Sequence, residues 1–264
     1  MVYAVHCEHE RKDDMTEPTN SLAEKAVLVT GGSRGIGAAI CQRLAAAGAH
    51  ITLTYAQSAD AATSVAEACR RQAGKAVAVR VDAGDVAAGQ RLVHQMVADA
   101  GRIDILVNNA ATLTLGDLLI VTPEMFDQYV AVNLRGLFLL TQAVVPHMPV
   151  GGRIINIGSV FGEVAPTAGL DLYSMGKFAL AGLTRAWAHD LAPRGITVNC
   201  IQPGPVHTDM NPADGPLSGF LTPRTAIKRY GRVEDIAEMV AYVAGPHTDN
   251  VTGAMLNNDG GLSA

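Results

Sequence analysis

Tyr173 and Lys177 stand four residues apart in Tyr173-Ser174-Met175-Gly176-Lys177, and Ser159 lies upstream of them. On a helix this spacing stacks the phenol and the ammonium on one face, one turn apart. A neighbouring positive charge favours the phenolate and so lowers a tyrosine's pKa. A tyrosine tuned in this way exchanges a proton near neutral pH, which a phenol titrating at about 10 does poorly. A serine hydroxyl beside it can hold a carbonyl or alcohol oxygen. Together the three suggest redox chemistry between a carbonyl and an alcohol, provided that the chain also supplies a hydride carrier. Singly, each has a plainer reading: a packing tyrosine, a solvated lysine, a turn serine.

A carrier site is visible near the start. The apolar run Val27-Leu28-Val29 enters Thr30-Gly31-Gly32-Ser33-Arg34-Gly35-Ile36-Gly37, and residues 38–47 read as a helix. A strand–turn–helix of this kind aims backbone N–H groups and the positive helix end at a pyrophosphate. Its glycines allow tight turning and close approach of a phosphate. Their spacing at 31, 35 and 37 differs from the commoner G-x-G-x-x-G.

With these motifs the chain resembles the short-chain dehydrogenase/reductase family from about residue 23 to the C-terminus. Thr30 to Gly37 is similar to the family's TGxxxGxG turn, which implies cofactor contacts from Gly31, Ser33, Arg34, Gly35, Ile36 and Gly37. Asn108-Asn109-Ala110-Ala111 resembles NNAG, with Ala111 where glycine is usual, and implies contacts from Asn109, Ala110 and Ala111. Pro203-Gly204-Pro205-Val206-His207-Thr208 is similar to the PGxxxT stretch, which places Pro203, Gly204, Val206 and Thr208 on the nicotinamide side. Asn258-Asp259-Gly260-Gly261 resembles the family's terminal DGG. The resemblance implies a catalytic tetrad of Asn133, Ser159, Tyr173 and Lys177. In that tetrad Lys177 also holds the nicotinamide ribose, and Asn133 holds a water that links Lys177 to solvent. Asp82 matches the position that contacts the adenine. The wording is closest to 3-oxoacyl-carrier-protein-reductase-like members, and Gln202 to Pro216 is similar to a subgroup with a cyclic di-GMP-binding member.

NAD enzymes of this architecture usually carry an acid after the second strand, on the ribose 2′-hydroxyl. Here the strand ends Tyr55-Ala56-Gln57-Ser58, with no acid at the turn. Arg34 can face a 2′-phosphate with a fork-shaped, permanent charge, and Ser58 can donate a hydrogen bond to it. Asp60 is better placed in the first turn of the next helix. The expected cofactor is therefore NADP(H), with Tyr55, Gln57 and Ser58 lining its site.

Composition sets the bounds. The chain has 264 residues, 48% of them apolar, and a net charge of −5. That suits one doubly wound α/β domain with a large core and gives no reason to expect nucleic acid or an anionic membrane as partner. The four cysteines, Cys7, Cys41, Cys69 and Cys200, have no metal-ligand spacing and read as reduced thiols of a cytoplasmic protein. No metal is expected, and no uninterrupted apolar stretch approaches the roughly 20 residues of a membrane span. Residues 1–22 read as a charged, flexible leader before a single catalytic domain over 23–264.

Strands are expected at 26–30, 50–55, 76–81, 105–107, 153–158, 197–201 and 254–257. Helices are expected at 35–47, 59–73, 85–100, 123–146, 173–192 and 233–244. This alternation predicts a Rossmann fold, with a parallel seven-stranded sheet and helices on both faces. The irregular stretch 204–225 reads as a lid. Val160, Phe161, Glu163, Thr167 and Leu170 are expected to shape an apolar pocket. The leading function is NADPH-dependent reduction of a small carbonyl compound. The alternatives are a 3-oxoacyl-thioester reductase, with Arg135, Arg224, Lys228, Arg229 and Arg232 available to an acidic carrier protein, and a cyclic-di-GMP-binding regulator. Family members are usually homotetramers, which the small-residue helix 178–188 accommodates.

Overall fold

The computed structural model describes residues 21–72, 75–165 and 167–264. Seven parallel strands form one sheet in the order β3-β2-β1-β4-β5-β6-β7. They are β1 Ala26–Val29, β2 His50–Tyr55, β3 Ala76–Arg80, β4 Ile105–Asn108, β5 Arg153–Ile157, β6 Thr197–Pro203 and β7 Met255–Asn258. The helices are α1 Gly35–Ala46, α2 Ala59–Arg71, α3 Val86–Ala100, α4 Pro123–Val130, α5 Leu137–Val144, α6 Asp171–Leu191, α7 Ser218–Leu221 and α8 Val233–Ala244. This is the predicted doubly wound Rossmann architecture.

The sheet is covered on both faces because its central strands carry runs of consecutive apolar residues. Val27 and Val29 of β1, Ile105 and Val107 of β4, and Ile155 and Ile157 of β5 pack in one core layer with α1, α2 and α8. Leu28, Leu106 and Ile154, one residue out of step on the same strands, pack in the other with α3, α5 and α6. Side chains alternate between faces along a strand, so an unbroken apolar run fills both layers. The chain reverses its winding between β1 and β4, which makes their C-terminal ends the crevice of the fold.

Three expectations need correction. The leader was expected to run to residue 22. Residues 1–20 lie outside the described residues, but Leu22 is only 2% exposed and its N–H donates to the Ala47 carbonyl at 2.9 Å. The domain therefore already includes Leu22. The single helix expected over 123–146 is broken by a π-helical turn, Ala131–Gly136. Asn133 sits in that turn and its side-chain amide donates to the Tyr129 carbonyl at 3.0 Å. That is the acceptor an α-helical N–H at 133 would use, so the side chain competes with the ladder. At Gly136 the backbone runs so close to the Ala83 carbonyl that any Cβ would collide with it. Lastly, 204–225 is not structureless, since α7 and the 3₁₀ turn Thr222–Arg224 lie within it.

By length and mean hydropathy the helical run Pro123–His147 is one that can cross a membrane, which the sequence reading did not anticipate. In this fold Tyr129, Leu137, Thr141 and Val144 turn its inner face into the core.

Candidate functional site

The site is built at the C-terminal ends of β1, β4, β5 and β6. Gly31 adopts φ 65° and Gly35 φ 52°, values that L side chains rarely tolerate. The turn between them delivers the chain to α1, which starts with Arg34 as N-cap and no side-chain cap hydrogen bond. The first-turn N–H groups of α1 are thus left to a ligand. Thr30 ties this turn to the Asn108–Ala111 segment. Its hydroxyl donates to the Val107 carbonyl (3.3 Å) and accepts from the N–H groups of Asn109 (2.9 Å) and Ala110 (3.0 Å). Asn109 answers from the other side, its amide donating to the carbonyls of Thr30 and Gly31, both at 2.9 Å.

At the end of β2, Tyr55 is half-buried while Gln57 and Ser58 are exposed, and Ser58 caps α2 without a side-chain bond. Its hydroxyl is free for a ligand. Asp60 stands in the first turn of α2, as expected. Arg80, which the sequence reading passed over, donates from Nε to the Ala56 carbonyl at 3.1 Å. It brings a guanidinium to the turn after β2, beside Ser58, which with Arg34 was expected to meet the 2′-phosphate. Register alone reveals it, because Arg80 pairs with Tyr55 across β2 and β3. Asp82 lines a cavity of about 30 Å³ with Ala83, Val132 and Gly136, and its carboxylate accepts from the Gly84 N–H at 2.8 Å.

α6 carries Tyr173 and Lys177 on one face, with Lys177 Nζ 5.7 Å from the centroid of the tyrosine ring. Lys177 is buried and donates to the Ile157 carbonyl at 2.9 Å, which anchors the ammonium at the end of β5. Ser159 is also buried, and its Oγ accepts from the Phe161 N–H at 3.2 Å. With one lone pair held, its O–H is free to donate. Phe161 meets Tyr173 edge to face at 6.3 Å between centroids, so the Ser159 turn packs against the tyrosine.

Asn133 reaches the same region but with its side chain committed. Oδ1 accepts from the Thr112 N–H at 3.0 Å, and Nδ2 donates to Thr112 Oγ1 (2.8 Å) as well as to Tyr129. The sequence reading missed both Thr112 and Tyr129. Tyr129 fills the space over Gly176, where any Cβ would collide with its hydroxyl, and donates to the Tyr173 carbonyl at 3.3 Å. Burial pushes the Tyr129 phenol well above its ordinary pKa, the more so with Tyr173 nearby. It is therefore a neutral packing group. The signals for it were Tyr129 four residues before Asn133, and a glycine between Tyr173 and Lys177. Burial likewise pushes the Cys200 thiol, beneath Gly158, up to about 11.

The Pro203–Thr208 stretch leaves β6 with Gly204 pressed against Asp259, so tightly that a Cβ at 204 would meet Asp259 Cα at 2.5 Å. Thr208 reaches the rim of the glycine turn, its Cγ2 3.4 Å from where a Gly35 Cβ would lie. His207, given no role from sequence, accepts from the Ala213 N–H at 3.0 Å and so pins the turn beyond it. Glu163 was expected only to shape the pocket. Instead it accepts from Gln202 Nε2 (2.6 Å) and Asn257 Nδ2 (3.0 Å), tying the Ser159 loop to the ends of β6 and β7.

Comparison with known proteins agrees with this geometry. Residues 31–263 match the family model described as Enoyl-(Acyl carrier protein) reductase. A short-chain dehydrogenase/reductase from Serratia marcescens BCRC 10948 superposes with a TM-score of 0.90 at 50% identity, covering 92% of this chain and all of that one. A short chain dehydrogenase from Burkholderia cenocepacia J2315, solved in complex with NADP, gives 0.91 at 43% identity, over 93% of this chain and 100% of its own. The cyclic-di-GMP-binding biofilm dispersal mediator protein of Escherichia coli K12 is 44% identical over 240 residues, 91% of this chain and 98% of the relative. The chain belongs to the short-chain dehydrogenase/reductase family and is an oxidoreductase of that family.

Asp259 offers a pH test of the site's scaffold. Its burial would raise the carboxyl pKa, but hydrogen bonds from Ser263, Gly261 and Leu262 outweigh it and hold the pKa below the ordinary value. The acceptor contacts are Gly261 N–H at 2.9 Å and Ser263 N–H and O–H at 2.8 and 2.6 Å. A depressed pKa contributes stability that is present above the unfolded value and lost as pH falls through the folded one. Asp259→Ala is expected to cost about 1–3 kcal/mol at pH 7, with the gap to wild type narrowing below about pH 4. Denaturant melts across that range check this; a gap that does not change with pH counts against it.

Proposed function

We propose that this protein uses NADP(H) to reduce a ketone-type carbonyl to a secondary alcohol. The observation that carries the reading is the stacked Tyr173–Lys177 pair, set beside a serine whose hydroxyl is free to donate. It lies on the same sheet edge as the uncapped start of α1.

The residues present fit the cofactor. The first turn of α1 contains no acid and β2 ends without one, and we assign Arg34, Arg80 and Ser58 to the adenosine end. Asn109, Ala110 and Ala111 follow β4; Pro203 ends β6 and Gly204, Val206 and Thr208 follow it, on the nicotinamide side. The Burkholderia relative's NADP complex supports the same choice. When bound, the nicotinamide supplies the hydride.

The chain's own groups handle the oxygen and the proton. Ser159 O–H donates to the substrate carbonyl oxygen. Tyr173 donates its phenolic proton to that oxygen as negative charge builds there. The Lys177 ammonium, fixed on the Ile157 carbonyl, stabilises the phenolate left behind. Run backwards, the phenolate takes the proton of an alcohol. Asn133 holds the 112 segment and the π turn against the catalytic helix. We read 204–225 as a lid, its stem fixed by the bond from His207 N–H to the Gly231 carbonyl. We read the exposed Phe138 and Phe178 on α5 and α6 as a face for tetramer formation.

The name of the E. coli relative favours a second reading, cyclic di-GMP binding on the same fold. Calorimetric titration with and without NADPH decides it: micromolar binding supports the reading and its absence removes it. For the enzyme, NADPH oxidation across ketones, ketoesters and acyl thioesters identifies the substrate class. Tyr173→Phe is expected to lower kcat by roughly 10²- to 10⁴-fold with NADPH affinity intact; near-normal turnover would overturn the assignment. Arg34→Ala is expected to weaken NADPH binding by about 10- to 100-fold and to leave NADH binding unchanged. Equal loss for both cofactors would remove its 2′-phosphate role.

A further inference from the structure

Asn108 ends β4 and is 2% exposed. Its amide lies in a buried chain of side chains whose polarity is fixed at both ends. Thr141 and Thr184 each donate to a helix carbonyl four residues back, Leu137 and Leu180, both at 2.8 Å. Their oxygens are therefore left as acceptors. Asn156 must turn its Nδ2 to Thr184 Oγ1 (2.9 Å), which leaves Asn156 Oδ1 to accept from Asn108 Nδ2 at 2.9 Å. Asn108 Nδ2 also donates to Thr141 Oγ1 at 3.1 Å. Neither amide can flip without setting two acceptors, or two donors, face to face. Asn108 Oδ1 is thus aimed away from the chain, and it has no hydrogen-bond donor among the described residues.

A buried carbonyl oxygen left unpaired costs about 1–3 kcal/mol, so the surroundings of Oδ1 matter. Asn108 lines a cavity of about 10 Å³ together with Lys177, Asn133, Tyr129 and Gly176. That is about the room one water needs. The other side-chain donors in its wall are spent: the Tyr129 hydroxyl on the Tyr173 carbonyl, and both Asn133 amide hydrogens on Thr112 and Tyr129. Lys177 uses one of its three N–H bonds on the Ile157 carbonyl, and no partner among the described residues takes the remaining two. Asn108 also lines the larger cavity beside Asp82 and Asp85, so it stands in the wall between the two.

We propose that Asn108 Oδ1 and Lys177 Nζ share one buried water, and that Asn108 is a positioning residue for proton transfer. The water accepts from a Lys177 N–H and donates to Asn108 Oδ1, which holds the ammonium in place; with its amide orientation fixed, Asn108 positions the group and does not itself carry a proton. The functional half rests on the carbonyl-reductase reading above; the structural half does not.

Two measurements test it. A crystal structure of the unaltered protein at about 1.5 Å resolution is expected to show a water within about 3.2 Å of both atoms. An empty cavity, or Oδ1 bonded to a protein group, overturns the proposal whatever the activity. Asn108→Leu is expected to lower kcat about tenfold, leave the KM values for NADPH and the carbonyl unchanged, and enlarge the solvent deuterium isotope effect on kcat. Val240→Ala, in the opposite core layer, controls for lost stability and is expected to move neither kcat nor the isotope effect. A folded Asn108→Leu that matches this control sinks the positioning role. If Asn108→Leu does not fold, the crystal structure alone decides. Unaltered protein that reduces no carbonyl with NADPH defeats the functional reading but leaves the water test standing.

Discussion

Where β1 and β4 part, their backbone groups lose the sheet partner that held them, and buried backbone groups must be paired. This protein meets the constraint with two side chains. Thr30 and Asn109 reach across the gap and between them engage the carbonyls of Thr30, Gly31 and Val107 and the N–H groups of Asn109 and Ala110. The glycine turn and the segment after β4 therefore move as one body. Everything proposed for the cofactor's phosphates and its nicotinamide end depends on the rigidity of that junction, because both halves of the crevice are referred to it.

A second constraint is steric. Gly176 lies between Tyr173 and Lys177, and Tyr129 occupies the space where its side chain would be. The phenol and ammonium thus sit on a helix clamped from behind by a buried aromatic ring. That ring is itself placed by the π turn, since the same Asn133 that distorts the helix bonds the Tyr129 carbonyl. A π turn inserted into a core helix weakens its ladder. Here the weakening has an identifiable return, because it brings Asn133 and Tyr129 beside Gly176 and Lys177. Glu163 does the corresponding task in front, joining the Ser159 loop to β6 and β7.

How much of this was legible in the sequence follows from the range of the interactions. The seven strands and the glycine turn are written in local patterns, apolar runs and backbone-permissive residues, and they were read to within a residue or two. Tyr173 and Lys177 were legible because a helix fixes their relation through spacing alone. The break at 131–136 was not, since it arises from one side chain competing for one carbonyl and from Gly136 meeting Ala83, a contact 53 residues away in sequence. Arg80 and Glu163 were illegible for the same reason. Each is an ordinary charged residue until strand register or loop packing sets it beside its partner. Leu22 was misplaced because a single apolar residue after a charged stretch carries no periodicity.

The division between what is rigid and what is free also bears on specificity. Ser159, Lys177 and Asn109 are held at strand ends by bonds to the backbone. The exposed apolar side chains on the loops are different in kind. Leu118 and Leu119, in the loop after β4, are 84% and 94% exposed, and Met210 and Leu217 in the 204–225 segment are about half exposed. Apolar side chains on loops around a fixed polar centre can change partner without disturbing the proton chemistry. On the carbonyl-reductase reading proposed above, proteins of this fold can share one reaction and differ in substrate, because the energy that orients the carbonyl oxygen and the energy that selects its substituents would come from separate parts of the chain.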